Sequence, residues 1–280
     1  MKQELLKLKS SCASRQMEVS IYGGRVLSFS INKQNALVDS GAQVGSTFWP
    51  SPQSLWDWPP PIALDSARYS TLEVSDRKIC LQSGVDHSLG ISVMKTFTSA
   101  LNGFHMEYAL VNSSNETVTV APWEISRVSG GLSFYAANSP PEIQSSCEIK
   151  HVNDHYWYQY EPGKLQGIPK IYANNTAGWL ANANEGLLLI KRFPQVEPKF
   201  IAPSEAEVEI YAHADVETPY VEVEQQGAFK AIKPGMESRW AVDWFLFELP
   251  SDVRVEAGSA DLLSFVADVL RPDSCVAEVG

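Results

Sequence analysis

The sequence lacks the marks of several common protein classes. No segment approaches the roughly 18 uncharged residues of a membrane-spanning helix, so no membrane span is expected. The opening Met1-Lys-Gln-Glu-Leu-Leu-Lys-Leu-Lys-Ser10 breaks its apolar pairs with charge and has no apolar run of about seven residues, as a secretory signal would. A cytoplasmic location is the expectation. Positive charge is scarce. With 22 basic and 33 acidic residues the net charge is -11, which disfavours nucleic acid and anionic membrane surfaces as partners. The four cysteines, Cys12, Cys80, Cys147 and Cys275, fit no metal-ligand spacing and are expected as free thiols in a reducing compartment. No Gly-x-Ser-x-Gly elbow, phosphate-cradling glycine loop or dinucleotide fingerprint occurs, so neither a nucleophile elbow nor a cofactor is expected.

Helical periodicity is almost as scarce. One segment carries it: from Ala260, Leu262, Leu263, Val266, Val269 and Leu270 share a face, and Pro272 closes the run. What replaces it is alternation of period two, in about fifteen to twenty short strands separated by turn residues. The Gly23-Gly24 and Asn102-Gly103 pairs are hairpin signals, the second being the stronger. No linker, repeat or low-complexity stretch divides the chain, and an apolar content of 44% suffices for a sizeable core. The expectation is an all-β fold, one large antiparallel sandwich over residues 17–280. A single flat sheet of that many strands would curl or split into two layers. A polar lead-in over residues 1–16 precedes it, and one short helix follows near the C-terminus.

Two stretches carry chemistry. Between Gly45 and Pro61, three tryptophans and five prolines fall within 17 residues. Proline excludes a helix and a central strand, so the stretch reads as a stiff loop presenting Trp49, Trp56 and Trp58. Flat rings on such a loop suit the apolar C–H faces of a sugar, or else a hydrophobic lid. In Tyr220-Val-Glu-Val-Glu-Gln-Gln-Gly227, Glu222 and Glu224 fall on one strand face. Buried there, like charges need cations or a polar ligand; the alternative is an ordinary solvated face.

Three blocks together resemble the galactose mutarotase-like proteins of the DUF4380 type. They are Gly23-Gly-Arg-Val-Leu-Ser-Phe29, the loop from Phe48 through Trp58-Pro-Pro60, and Tyr220-Val-Glu-Val-Glu-Gln with Lys233-Pro-Gly-Met-Glu-Ser238. The resemblance spans roughly residues 17–250 and implies a β-supersandwich with one face open to sugars. It also implies exchange of sugar anomers by a glutamate base at the C1 hydroxyl and a histidine acid at the ring oxygen. Glu224 matches the glutamate by its place before the Pro234-Gly235 turn, with Glu222 its neighbour. Where the resemblance places the histidine, this chain reads Ala121-Pro-Trp-Glu-Ile-Ser-Arg127 and has none. Glu124, raised in pKa by burial against Trp123, and His213 are the candidate acids. Arg127 offers a fork for a carboxylate or phosphate, or a surface ion pair, and Lys191 ends an apolar strand where a sugar group would lie.

The expected ligand is therefore a small carbohydrate or sugar acid, bound without metal. Three activities fit: aldose epimerisation, carbohydrate binding without catalysis, and a lyase-like reaction on uronate saccharides. Fold-level likeness does not choose among them.

Overall fold

A computed structural model describes residues 4–41 and 43–271. The expected sandwich is present: antiparallel strands form an 11-stranded and a 10-stranded sheet. The first sheet runs, in spatial order, through Leu5–Lys9, Arg15–Ser20, Val26–Ile31, Ser46–Ser51, Val118–Val128, Val221–Gln226, Val208–Ala212, Lys170–Ala173 and Glu142–Gln144. The second has the long strands Glu237–Glu248, Gly103–Asn112 and Ile91–Ser99 at its centre, with Leu187–Arg192 beside them.

Period two explains the layering. Along the first sheet Phe29, Phe48, Ile210, Val221 and Val223 point toward the second, where Phe97, Met106, Val242, Trp244 and Leu246 meet them in one buried core. The other face of the second sheet buries Phe134, Trp157, Leu188 and Ile190 against Leu262, Val266 and Val269 of the helix Ala260–Leu270. Ser259 caps that helix, its hydroxyl accepting the Leu262 N–H at 3.3 Å. Pro272, its expected stop, and Cys275 lie outside the described residues. Asn102-Gly103 joins Ile91–Ser99 to Gly103–Asn112 in register, Ser99 opposite Phe104. No helix among the described residues is long and apolar enough to cross a membrane.

Two expectations fail locally. Residues 1–16 are not merely a lead-in: Leu5–Lys9 is the edge strand of the first sheet, pairing Leu6 with Val19 and Leu8 with Met17. The frequent lysines hide a Leu6/Leu8 alternation whose apolar side reaches the core. The Trp/Pro stretch is not wholly a loop either. Ser46–Ser51 is a strand, with Trp49 opposite Trp123 and Pro50 opposite Pro122. Facing prolines fit a non-hydrogen-bonded pair, in which neither residue owes its partner an N–H. On its far side the strand pairs only at Ser46, so Pro50 interrupts no ladder there. Loop character begins after Ser51, where Trp56 and Trp58 lie.

Candidate functional site

Alternation sorts the polar residues of the first sheet onto two sides. Along Val118–Val128, Trp123, Ile125 and Arg127 face away from the second sheet, while Glu124 and Ser126 face it. The outward row continues across the neighbouring strands through Glu222, Glu224 and Gln226, then Glu209 and Tyr211, then Lys170 and Tyr172. Register places Glu224 opposite Glu209 and Glu222 opposite Tyr211.

The centre of this face is a triad. Lys170 Nζ lies 2.6 Å from Glu209 Oε2 and 3.4 Å from Glu224 Oε2, over the Trp123 ring. Trp123 donates its indole N–H to Glu224 Oε2 at 2.9 Å. Gln226 donates to Glu209 Oε1 at 2.8 Å and accepts the Ser51 hydroxyl at 2.6 Å. Both carboxylates are fully buried. Burial, the largest influence, pushes both their pKa values up against the opposing Lys170 charge. For Lys170 burial alone acts downward, and the two carboxylates outweigh it and hold the ammonium well above its ordinary value. Three groups carrying two negative charges and one positive thus favour keeping one proton. Glu224 Oε1 has no hydrogen-bond partner among the described residues.

Beside the triad stands a second cluster. Arg127, 0% exposed, lies with its guanidinium 5.6 Å from the Trp49 ring centre. Its Nη2 comes within 2.8 Å of Glu222 Oε1, yet the N–H directions miss the carboxylate, and none of its three nitrogens makes a directed hydrogen bond among the described residues. Asp65 Oδ1 accepts from Arg25 Nη2 at 2.8 Å, Trp49 Nε1 at 2.8 Å and Thr47 Oγ1 at 3.1 Å. Burial lowers the Arg25 pKa, Asp65 opposes this, and the like charge of Arg127 adds to it. Asp65 is set in place through Gly23. A side chain there would meet the Asp65 carbonyl at 1.8 Å, and φ is +69°, so glycine alone lets the two backbones touch.

The tryptophans divide. Trp49 and Trp123 are buried and meet edge to face at 5.6 Å; Trp56 packs on Trp49, and Trp58 lies at the outside, 59% exposed. His213 stacks on Tyr220 at 4.4 Å, and its Nδ1 lies 3.3 Å from the Tyr211 hydroxyl. It sits at the end of the outward row, four register positions beyond Glu209 and Glu224.

Glu124 and Lys191, both expected at the sugar site, point into the interior instead. They form an ion pair at 2.8 Å between the sheets, where Glu124 also accepts from Trp244 at 2.9 Å and from Tyr108 and Gln225. Burial lowers the Lys191 pKa against the opposing pull of Glu124. The reason is parity: Glu124 is one residue from Trp123 and three from Arg127, so it takes the opposite face. Glu209, Lys170, Arg25 and Asp65 were missed. Glu209 looks solvated in its Glu205/Glu207/Glu209 alternation, and Lys170 follows Pro169 in a stretch resembling a loop.

A groove of about 670 Å³ lies away from the triad. It runs across the neighbouring outer strands, lined by Gln16, Glu18, Ser28, Ser30 and Asn35, and reaches Val44. The Val44 carbonyl accepts from Arg25 at 3.2 Å, so groove and arginine cluster adjoin.

Residues 51–247 match the model of a family described as a domain of unknown function, DUF4380. No curated protein matches. Among solved structures, a galactose mutarotase related enzyme from Lactobacillus acidophilus aligns with a TM-score of 0.66 at 8% identity, over 90% of this chain and all of its own. A galactose mutarotase-like protein from Lactobacillus casei gives 0.59 at 10% identity, over 87% of this chain and all of its own. At such identities the likeness is one of fold.

Proposed function

The chain belongs to the DUF4380 family, and from that premise we propose that it binds a small sugar on the outer face of its first sheet and exchanges the sugar's anomers. The reading rests above all on Glu224 Oε1, a buried acceptor without a partner among the described residues. Such an atom is expensive to leave unmet, and a sugar hydroxyl would satisfy it. Trp58, at the exposed end, offers a ring face to a pyranose.

Anomer exchange needs a base at the C1 hydroxyl and an acid at the ring oxygen. The C1–O5 bond opens as the hydroxyl proton leaves and O5 gains one; rotation and closure reverse both transfers. In this proposal the missing histidine is replaced by the carboxyl pair. Glu224 takes the hydroxyl proton, Glu209 supplies the other, and Lys170 keeps the pair at a single shared proton. Glu124 has no part in it, since Lys191, Trp244, Tyr108 and Gln225 occupy it in the interior.

Saturation-transfer NMR of anomer exchange across a panel of aldoses and uronic acids tests the reading. Accelerated exchange that Glu224→Gln lowers by roughly 10²–10⁴-fold, the range for loss of a general base, supports it. Binding without acceleration leaves the second reading, a sugar-binding protein. The lack of a histidine between Ala121 and Arg127 speaks for that reading, because half of the acid–base pair that the resemblance implies is then missing.

A further inference from the structure

We infer that the ligand carries an anionic group, a carboxylate or a phosphate, and that Arg127 is its seat. This deepens the sugar reading above and rests on it only for the neighbouring ring.

A guanidinium removed from water normally has its donors satisfied by carboxylates or carbonyls, since burying an ion without hydrogen bonds is costly. Arg127 departs from this. It is completely buried, yet none of its nitrogens makes a directed hydrogen bond among the described residues. Glu222 neutralises it only by proximity, at 2.8 Å and off the donor directions. The fork's donors are therefore left unspent, though the guanidinium is covered. The Trp49 ring lies against it at 5.6 Å, and that ring is pinned by its own N–H on Asp65. Arg25, fixed by the same Asp65, adds a second positive charge close by.

An oxyanion with two or three oxygens matches such a fork bidentately, as a hydroxyl does not. Glu222 then acts as the internal stand-in. It is partly exposed, with 14% of its side chain open to solvent, so it can turn outward as the ligand's anion takes its place.

Register fixes the spacing. Arg127 pairs with Glu222 and Ile125 with Glu224, so anion seat and carboxyl pair are two strand positions apart, roughly 7 Å. One sugar ring bridges that gap, its C1 end at Glu224 and its charged substituent at Arg127.

The test measures binding by titration calorimetry, apart from turnover. The probes are galactose and glucose, their uronates, and their 6-phosphates. Both anionic sets, or one of them, should bind at least about tenfold more tightly than the neutral sugars, the gain of one charge-assisted pair. The preference should shrink with added salt. Whichever anionic arm binds identifies the group. Arg127→Lys keeps the charge and loses the fork, and should abolish most of the preference. Glu222→Gln, at a partly exposed position that tolerates folding, removes the internal competitor and should increase it. Equal affinity for neutral and charged sugars overturns the inference, as does a preference that neither substitution moves. Exchange confined to neutral sugars would sink it while leaving the function intact. Tight binding of charged sugars without exchange would do the reverse.

Discussion

Glu209 and Glu224 stand in register on adjacent strands, with the Lys170 ammonium 2.6 Å from the first and 3.4 Å from the second. Two buried carboxylates sharing one cation behave as a unit, and the most direct consequences concern their proton.

Removing either carboxyl should disable the same step. Glu209→Gln and Glu224→Gln are each expected to slow anomer exchange by about 10²-fold or more, and the double variant should be little worse than either. Single-site rates from exchange NMR decide this. A double variant whose loss is the product of the two would show independent roles.

Stability should depend on pH in a definite sense. Folding raises both carboxyl pKa values, and burial lifts Glu207 from 4.5 to about 7 as well. The folded chain therefore holds protons that the unfolded chain has released. The contribution is fully present below the unfolded carboxylate range and is lost as pH rises from about 4.5 through neutrality. Urea midpoints should fall across that interval and then level. In the Glu209→Gln/Glu224→Gln variant the slope should flatten, and an unchanged slope would place the shifted groups elsewhere.

The interior ion pair should matter for folding and not for chemistry. Glu124→Ala leaves Lys191 buried without its partner, for which a loss of about 3–5 kcal/mol is expected. Thermal melts check the loss, and exchange rates measured below the melting point check the chemistry. Full collapse of exchange in a folded Glu124 variant would return that residue to the active site.

The tryptophans should separate by burial. Trp49→Ala removes a ring from the Trp56/Trp123 cluster and should cost about 3–5 kcal/mol of stability. Trp58→Ala, largely exposed, should leave stability within about 0.5 kcal/mol and weaken sugar binding several-fold. Paired melts and titrations compare the two. Unaltered binding in Trp58→Ala would make that ring a surface residue only.

Most of the architecture could be read from alternation, because a period of two survives in each strand whatever its length. The Asn102-Gly103 hairpin and the Ala260–Leu270 helix are legible for the same local reasons. Proline misled: Pro50 marks a break by its chemistry, and only the register with Pro122 shows why a strand tolerates it. The site was half legible. Glu222, Glu224, Trp123 and Arg127 do share a face, as spacings of two and four require. That same rule, applied to Glu124, assigns it to the other side. Glu209 and Lys170 were illegible, since partners from separate strands are brought together by register alone, and nothing local distinguishes a buried glutamate from a solvated one.

The strand Val118–Val128 carries charge on both sides of its second half: Trp123 and Arg127 serve one electrostatic cluster, Glu124 and Ser126 another, back to back. Sliding that strand by a single residue would turn Glu124 toward the buried Glu209 and Glu224 and bring Arg127 beside Lys191, setting like charges against each other on both faces. Its register is thus guarded twice, by repulsion as much as by packing. Transplanting the outward polar face onto another sandwich would require carrying the hidden ion pair with it.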